Sequence, residues 1–314
     1  MKLINQNAEF IKQEPGIEGI YKIVELAGRT SYLSWDKITD DSAKKFVDML
    51  IKSKHTSCLE HGTVYLKLPA VTEDKFMPTV KEWWPIVHSP YSKSNDVSLS
   101  NDPNDLGNID KMFIAITTNL RVLLENNMPI EHISKYLCEP TEFHEKRLSV
   151  KVITDIGVTR EFNRHRTFSI VEQSTRYCNF SKDKFGNEIT FITPSWWKAD
   201  LNKTYLEPEV LSWHIDEESL EHKARYVWFI ESCTDIERHY LLMIRDGMQP
   251  QEARAILPLC TKTEVVYTAF ESDWRHFFDL RLRETTGAAH PQAKALAQLI
   301  YNEFEKYGLT RNMG

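Results

Sequence analysis

The sequence contains little cysteine and no long apolar run. Its 314 residues include five cysteines, which are widely scattered and never form a Cys-x-x-Cys pair. An odd, scattered set argues against a disulfide framework and a zinc site, and it is typical of a reducing compartment. No stretch reaches the roughly 18 apolar residues that a membrane-spanning helix needs, and the first residues lack the apolar segment of a signal peptide. We therefore expect a cytoplasmic protein that does not bind a membrane.

An excess of positive charge is also absent, as are internal repeats. The net charge is −6, so the protein as a whole should not attract polyanions, and any anion site must come from a local group of arginines. With 41% hydrophobic and 27% charged residues, the chain is typical of a globular protein that is long enough to bury a large core. We expect a single domain over residues 1–314, with residues 70–146 inserted into it.

Apolar periodicity predicts a few strands and many helices. A helix begins after Asp41 and runs to about Lys54. Residues 64–68 alternate between apolar and polar, as in a half-buried strand, and residues 150–156 also have strand character. Further helices are predicted over about 216–246, from Pro250, over about 272–283 and from Pro291. Because strands and helices do not alternate strictly, we expect an α+β fold, with a mixed or antiparallel sheet flanked by long helices.

The predicted insertion is expected to be helical. Residues 89–108 are rich in Ser, Asn, Asp and Pro, which is typical of a loop. The apolar residues between Ile109 and Leu124 fall at helical spacing, and a second, shorter helix is predicted after Pro129. We expect this pair of helices to pack on the edge of the main domain, and we assign it no chemistry.

The most informative segment is residues 164–177, which read Arg-His-Arg-Thr-Phe-Ser-Ile-Val-Glu-Gln-Ser-Thr-Arg-Tyr. Arginine offers a planar set of N–H donors that matches phosphate and carboxylate oxygens, and serine hydroxyls are short, directional donors. A lone Arg-His-Arg would most often be an exposed turn with weak surface ion pairs. The extended pattern Arg-His-Arg-x-x-Ser-x-x-x-x-Ser-x-Arg instead favours an anion-binding site.

This pattern resembles the signature of the flavin-dependent thymidylate synthases, also called thymidylate synthase complementing proteins. Glu172 and Tyr177 extend the likeness. The resemblance implies an enzyme, a methyltransferase that makes dTMP from dUMP with FAD, with NADPH as the reductant and methylenetetrahydrofolate as the one-carbon donor. It also implies a homotetramer whose sites are shared between subunits, with small-molecule substrates and no nucleic acid partner.

Two shorter segments are similar to family motifs. His55-Thr-Ser-Cys-Leu-Glu-His61 resembles the stretch His-x-[Ser/Thr]-x-x-Glu-His, which precedes a strand in the family. Taken alone, such a histidine pair is more often structural than functional, and no third ligand lies at a spacing suited to a metal. Ala253-Arg-Ala-Ile-Leu-Pro258 resembles a turn whose arginine binds the nucleotide, although a short apolar turn with one arginine is common.

The predicted helix that ends near Arg281 resembles the closing helix of the family. The resemblance implies that Arg281 activates the uracil, because a guanidinium at the N3–O4 edge stabilises negative charge on the ring and makes C5 nucleophilic. The alternative is an amphipathic helix that exposes Arg275 and Arg281 to solvent. His276, on the preceding turn, would contact the flavin.

The resemblance implies the following site residues. Arg281 is the expected catalytic residue, and no metal site is expected. The expected dUMP contacts are Glu161, Arg164, Glu172, Gln173, Ser174, Thr175, Arg176, Arg254 and Arg281. The expected FAD contacts are His55, Ser57, Arg164, His165, Arg166, Thr167, Glu172 and His276.

Two features qualify these expectations. The chain lacks the Pro-Cys-[His/Gln] segment of conventional thymidylate synthases, so we expect a reaction without a cysteine nucleophile, in which Cys178 is a packing residue. The chain also departs from the family pattern at Glu161, Val171, Phe270 and Ser272. We expect these departures to change hydrogen bonds mainly at the adenosine end of the flavin and to leave the arginines unaffected.

Two other functions stay open. The first is a nucleic-acid-binding module in which Arg164, Arg166 and Arg176 grip phosphates while Phe168 and Tyr177 stack on bases, with a steep dependence of affinity on salt. The second is a flavoprotein that has lost methyl transfer.

Overall fold

The computed structural model describes residues 1–69, 78–97, 113–196, 220–311 and 313, and it has an α+β fold. The strands of this part of the chain are β1 (Lys2–Ile4), β2 (Asn7–Ile11), β3 (Thr63–Pro69), β4 (Lys93–Val97), β5 (Phe113–Asn119), β6 (Arg147–Asp155), β7 (Ser169–Glu172), β8 (Thr190–Ile192) and β9 (Lys262–Phe270). The α-helices are α1 (Gly16–Thr30), α2 (Ser42–Lys52), α3 (Pro78–Val87), α4 (Leu120–Glu125), α5 (Ile130–Ile133), α6 (Ile156–Phe162), α7 (Leu220–Arg245), α8 (Pro250–Ala253), α9 (Glu271–Arg281) and α10 (Pro291–Lys306).

The central sheet has four antiparallel strands in the order β2-β6-β9-β7. On one face, Val152, Val265 and Tyr267 pack against aromatic residues of α9 and apolar residues of α10. On the other face, Val171 and Val266 pack against Ala27 of α1. Because both faces are covered, β9 is buried along nearly its whole length. The sheet therefore fixes the positions of α6, β7 and α9, which carry the signature and the closing helix.

A second antiparallel sheet has the order β3-β5-β4 and packs against α1 and α2. Here the helix predicted between Ile109 and Leu124 is wrong over residues 113–119, which form β5, and the helix α4 begins only at Leu120. Every residue of β5 is buried, and a short, wholly buried apolar run cannot be told from a buried helix by periodicity.

The same region corrects a second prediction. The loop expected over residues 89–108 contains a strand at Lys93–Val97, which pairs with β5. The described part of residues 70–146 is therefore mixed rather than helical, while α5 confirms the short helix after Pro129. Residues 98–112 lie outside the described part of the chain. That residues 70–146 are an insertion, in one domain over 1–314, stays a prediction.

The third unit is the parallel pair β1–β8, which packs against α7 and α8. The helix predicted over about 216–246 is confirmed from Leu220 to Arg245, and its expected first residues lie outside the described chain. Gly247 has φ of 100°, which suits a glycine that ends a helix.

The remaining sequence predictions are largely confirmed. The helix after Asp41, the strands at 64–68 and 150–156, and the helices from Pro250, near 272–283 and from Pro291 are all present. The helix α6 follows the strand at 150–156 and separates it from the Arg-His-Arg segment. No helix in the described part of the chain is both long and apolar enough to cross a membrane.

Candidate active site

The signature lies on α6, on a turn and on β7. Asp155 begins α6, because its side chain accepts a hydrogen bond from the backbone N–H of Val158 at 2.7 Å. The turn after α6 exposes Arg164, Arg166 and Thr167 but buries His165 between them. The sequence thus places two arginines in solvent and one imidazole in the core, within three consecutive residues.

Arg281 is the centre of a polar cluster that joins α9 to α6. Its Nη1 donates to Glu161 Oε2 at 2.9 Å, and its Nη2 donates to the Glu161 backbone oxygen at 2.7 Å. Its Nε donates to His165 Nε2 at 3.2 Å. The Arg281 side chain is 16% exposed, so the guanidinium is held in one orientation by three acceptors. A guanidinium has five N–H donors, and two remain for a ligand.

His165 is neutral in this cluster. Burial, followed by the charges of Arg281 and His276, lowers the pKa of His165 to about 4. Because Nε2 accepts the hydrogen bond from Arg281, the proton of the neutral ring lies on Nδ1. The His165 and His276 rings lie at 6.2 Å between centroids, and His276 is exposed. The structure thus brings together four predicted site residues: Glu161, His165, His276 and Arg281.

Glu172 belongs to a second polar cluster on the same face of the sheet. Its Oε1 accepts from Thr159 Oγ1 at 3.0 Å and from Thr263 Oγ1 at 3.1 Å. Burial raises the pKa of the Glu172 carboxyl, although the hydroxyls that donate to it act in the opposite direction. The carboxylate is therefore positioned by α6 and β9 before any ligand binds.

The end of the signature forms an exposed rim with Arg254. Nη1 of Arg254 donates to Thr175 Oγ1 at 3.1 Å, and Arg254 and Arg176 are both exposed. The backbone N–H of Ser174 donates to the carbonyl of Ser31, just after α1, at 2.9 Å. The structure therefore places Arg254 beside the segment 174–176.

Gln173 is directed away from this rim. Its side chain is buried, and its Oε1 accepts from Lys262 Nζ at 3.4 Å. Its backbone N–H donates to the carbonyl of Glu264 at 2.8 Å. The side chain of Gln173, a predicted dUMP contact, therefore lies on the opposite face of β9 from Glu172 and Thr263.

His55 and Ser57 lie on a separate segment. They flank the start of the 3-10 helix Thr56–His61, and both are exposed. Within the described residues, no side-chain hydrogen bond or ion pair joins either of them to the signature. His61 instead is buried, with Nδ1 at 2.8 Å from Thr268 Oγ1 of β9. The last residue of the segment, His61, therefore connects it to the central sheet through this hydrogen bond.

Arg147 was not predicted as a functional or structural residue. It is buried, donates to the carbonyl of Glu60 at 2.9 Å and to Ser169 Oγ at 2.9 Å, and burial lowers its pKa to about 10. It therefore joins the His55–His61 segment to β7. Only its position at the start of a strand, beside apolar residues, could have marked it as buried in the sequence.

The departures from the family pattern have structural roles, and one expectation about them is wrong. Glu161 forms the ion pair with Arg281, so this departure directly affects the predicted catalytic arginine. Val171 is buried against α1. The Phe270 ring lies 5.4 Å from the Arg147 guanidinium, and Ser272 accepts from Lys93 Nζ at 2.5 Å.

The arginines form two groups rather than one. Arg281 contacts Glu161 and His165, whereas Arg254 contacts Thr175, and no hydrogen bond in the described part of the chain links the two groups. Arg164, Arg166 and Arg176 make no ion pair with an acid among the described residues. Exposed arginines without acidic partners are a donor set that suits phosphate and pyrophosphate groups. No three described His, Cys, Asp or Glu side chains are grouped so that they could hold a metal ion.

Comparison with known proteins gives a family match and more distant structural likenesses. The model of the family described as thymidylate synthase complementing protein matches residues 115–307, which include the signature, Arg254 and Arg281 but not the His55–His61 segment. A protein of Paramecium bursaria Chlorella virus 1, named "Probable flavin-dependent thymidylate synthase", is 25% identical over 163 residues, which cover 52% of this chain and 69% of the relative.

Two crystal structures of the UMP/dUMP methylase PolB from Streptomyces cacaoi align over the whole chain. The structure bound with 5-Br dUMP has 15% identity, a TM-score of 0.44 and 96% coverage of PolB. The structure bound with 5-Br UMP has 14% identity, a TM-score of 0.43 and 97% coverage of PolB. Likeness at this level carries no argument about the site.

Proposed function

The chain belongs to the family of thymidylate synthase complementing proteins, and on that premise we propose that it is a flavin-dependent thymidylate synthase. As a methyltransferase, it would convert dUMP to dTMP with methylenetetrahydrofolate as the one-carbon donor, FAD as the cofactor and NADPH as the reductant. The relative from the Chlorella virus, which carries this activity in its name, supports the proposal.

The observation that carries the proposal is the Arg281 cluster. Charge that develops on a uracil ring is best stabilised by donors that are already oriented and partly shielded from water. Arg281 meets both conditions, because three acceptors orient it and its side chain is mostly buried. We assign its two remaining N–H donors to the N3–O4 edge of dUMP. Glu161 and neutral His165 would then be positioning residues for this guanidinium.

We assign the phosphate of dUMP to the exposed rim. Arg254, Arg176 and the hydroxyls of Ser174 and Thr175 offer charged and neutral donors within one short stretch of surface. Such donors suit a dianionic phosphate. Because the rim and the Arg281 cluster are separate groups in one chain, we propose that a site combines them from neighbouring subunits, as in the homotetramer that the resemblance implies.

The flavin would be held by the exposed part of the signature. Arg164, Arg166 and Thr167 would bind its pyrophosphate, while His165 and His276, together with His55 and Ser57 of the 3-10 helix, would lie near its ring. Bound FAD would supply the redox chemistry of the reaction. Glu172, oriented by Thr159 and Thr263, would accept hydrogen bonds from dUMP and flavin.

The cysteines support a route without an enzyme thiol. All five lie in the described part of the chain, where no hydrogen bond joins any of them to Glu161, His165 or Arg281. Cys178, next to the signature, is buried, and burial raises the pKa of its thiol. A thiol that is protonated at neutral pH and shielded from substrate is a poor nucleophile.

Reconstitution of the purified chain tests the proposal. We expect a yellow protein that, given dUMP, methylenetetrahydrofolate and NADPH, forms dTMP in an amount that depends on each of them and on FAD. The variant Cys178→Ser should retain dTMP formation. A protein that cannot be loaded with FAD and forms no dTMP would contradict the proposal. Binding that falls steeply with salt and requires only single-stranded nucleic acid would favour the nucleic-acid-binding alternative.

A further inference from the structure

Two of the five cysteines lie next to each other in space. Cys233 is on α7 and Cys260 is just before β9, and their sulfur atoms are 3.9 Å apart. Cys58, Cys138 and Cys178 have no such sulfur neighbour in the described part of the chain: Cys138 contacts His144, and Cys178 contacts the carbonyl of Ser31. A thiol pair at this separation needs only small side-chain rotations to reach bonding distance.

The two thiols differ in their access to solvent. Cys233 is 2% exposed, whereas Cys260 is partly exposed and lines a cavity together with Leu259, Asp155 and Glu161. A disulfide in solution would therefore meet Cys260 first, and Cys260 lies beside the buried Cys233. This is the arrangement of an attacking and a resolving cysteine.

The electrostatic surroundings agree with these roles. A hydrogen bond from Cys233 lowers the pKa of Cys260 despite its burial, and the charge of Asp155 acts weakly in the opposite direction. The same hydrogen bond, burial and the charge of Glu237 raise the pKa of Cys233. Its partial exposure and its place on the cavity make Cys260 the thiol that attacks as thiolate, and the direction of its pKa agrees with this role.

We propose that Cys233 and Cys260 are a thiol modification site, which forms a reversible disulfide with a low-molecular-weight disulfide such as oxidised glutathione. The Cys260 thiolate attacks one sulfur of oxidised glutathione, a mixed disulfide forms, and one glutathione leaves as its thiolate. The Cys233 thiol, giving up its proton to solvent, then attacks the Cys260 sulfur and displaces the second glutathione. The protein loses two protons and two electrons, and one oxidised glutathione takes up two protons and two electrons to become two reduced glutathiones.

The bond would close a loop that contains Arg254. The loop begins on α7, runs through α8 and the turn with Arg254, and ends at Cys260. Closing a loop restricts the chain between its ends. Oxidation would therefore restrict the backbone motion of the segment that carries Arg254. This effect does not depend on whether the chain makes dTMP.

Peptide mapping of the full-length protein tests the site. Reduced protein is incubated with oxidised glutathione, quenched with acid and digested, and cross-linked peptides are identified by mass spectrometry. We expect a Cys233–Cys260 cross-link that dithiothreitol removes. The variant Cys138→Ser, in which an unrelated half-buried cysteine is changed, should form the same cross-link. Free thiols at positions 233 and 260 after oxidation, or cross-links to other cysteines instead, would overturn the proposal.

Single variants separate the two roles. Cys233→Ser should accumulate one glutathione on Cys260, because nothing resolves the mixed disulfide, whereas Cys260→Ser should leave Cys233 unmodified. Glutathione on Cys233 in the second variant would overturn the assignment of roles.

Hydrogen exchange gives an independent readout of the closed loop. Amides of residues 247–259 should exchange more slowly in oxidised than in reduced wild-type protein, and equal rates would contradict the closed loop. Since neither readout uses dTMP formation, failure here leaves the proposed function untouched.

Discussion

The Arg281 cluster and the Arg254 rim use the same side chain in two different ways. Arg281 is largely buried and bound to Glu161 and His165, through contacts that connect α9 to α6. Arg254 is exposed, and within the described residues its side chain makes one hydrogen bond, to Thr175. The first arginine is fixed before substrate arrives, whereas the second must lose side-chain freedom when it binds.

This difference indicates that the two arginines contribute to different steps, Arg281 to the chemical step and Arg254 to substrate binding. A fixed, partly desolvated charge contributes most to a transition state, because it needs no reorganisation during the reaction. An exposed arginine contributes mainly to binding, since water screens its charge in the free protein. Changes at the Arg281 cluster should therefore lower turnover, and changes at the rim should weaken dUMP binding.

The largest effect is expected at Arg281. Arg281→Ala should lower kcat for dTMP formation by about 10³-fold, because the oriented donors to the pyrimidine are lost. Arg281→Lys, the matched control, keeps the charge but not the planar set of donors. Its kcat should therefore fall by less than that of Arg281→Ala. Absorbance of bound FAD should stay at the wild-type level in both. Wild-type turnover in Arg281→Ala would show that the catalytic assignment is wrong.

The next effect is expected at Glu161. Glu161→Ala removes the carboxylate that orients Arg281 and should lower kcat by about 30-fold, a loss of roughly 2 kcal/mol. Glu161→Gln still offers an oxygen to Arg281 and should stay within about threefold of wild type. Steady-state kinetics at saturating dUMP measure both. Equal losses in the two variants would mean that the charge of Glu161, rather than its position, is what matters.

A smaller effect, of a different kind, is expected at the rim. Arg254→Ala should raise the Kd for dUMP about tenfold by removing a charge-assisted contact to phosphate, with kcat at saturating dUMP nearly unchanged. Calorimetric titration at low and high salt measures the affinity, and the difference should shrink as salt rises. Arg245→Ala, at the exposed end of α7, is the control and should bind dUMP as wild type does.

The smallest effect is a change in the pKa of His165. Arg281→Ala should raise the pKa of His165 above about 4, because one positive charge is removed, but burial should still hold it below 6.5. NMR titration of the ring protons measures this change. An unchanged pKa would show that Arg281 does not act on His165.

The lowered pKa of His165 also predicts the direction in which the stability of the fold changes with pH. Its folded pKa lies below the unfolded value of 6.5, so the unfolded chain binds more protons between pH 6.5 and about 4. The contribution of neutral His165 to the free energy of unfolding is fully present above pH 6.5 and is lost as the pH falls toward 4. Denaturant unfolding should therefore show a steeper loss of stability over this range in the wild type than in His165→Gln.

Strand prediction from the sequence succeeds at β3 and fails at β5 and β9, although β6, which is also largely buried, is predicted over residues 150–156. The strand at 64–68 alternates and was found, whereas β5 was read as a helix and β9 was not predicted, because both are buried on each side. For such runs periodicity carries no information, and the choice between helix and strand depends on pairing partners far away in the sequence.

The same limit applies to the site. The resemblance named Arg281 and Glu161 separately, but their ion pair joins residues 120 positions apart, and nothing in a single sequence reports such a contact. Likewise, the hydroxyls of Thr159 and Thr263 that orient Glu172 became visible only through the packing of α6 on β9. The order of the motifs along the chain was as the resemblance implies, but only the structure shows that Arg254 lies beside Thr175.

The central claim is that the Arg281 cluster of one subunit and the Arg254 rim of another act on one nucleotide, and subunit mixing tests it most directly. Arg281→Ala and Arg254→Glu variants are each expected to form little dTMP at low dUMP. If they are unfolded and refolded together, hybrid assemblies should contain some sites with both arginines, and activity should return to about a quarter of wild type for random pairing. A mixture as inactive as its components, although hybrids form, would contradict the claim.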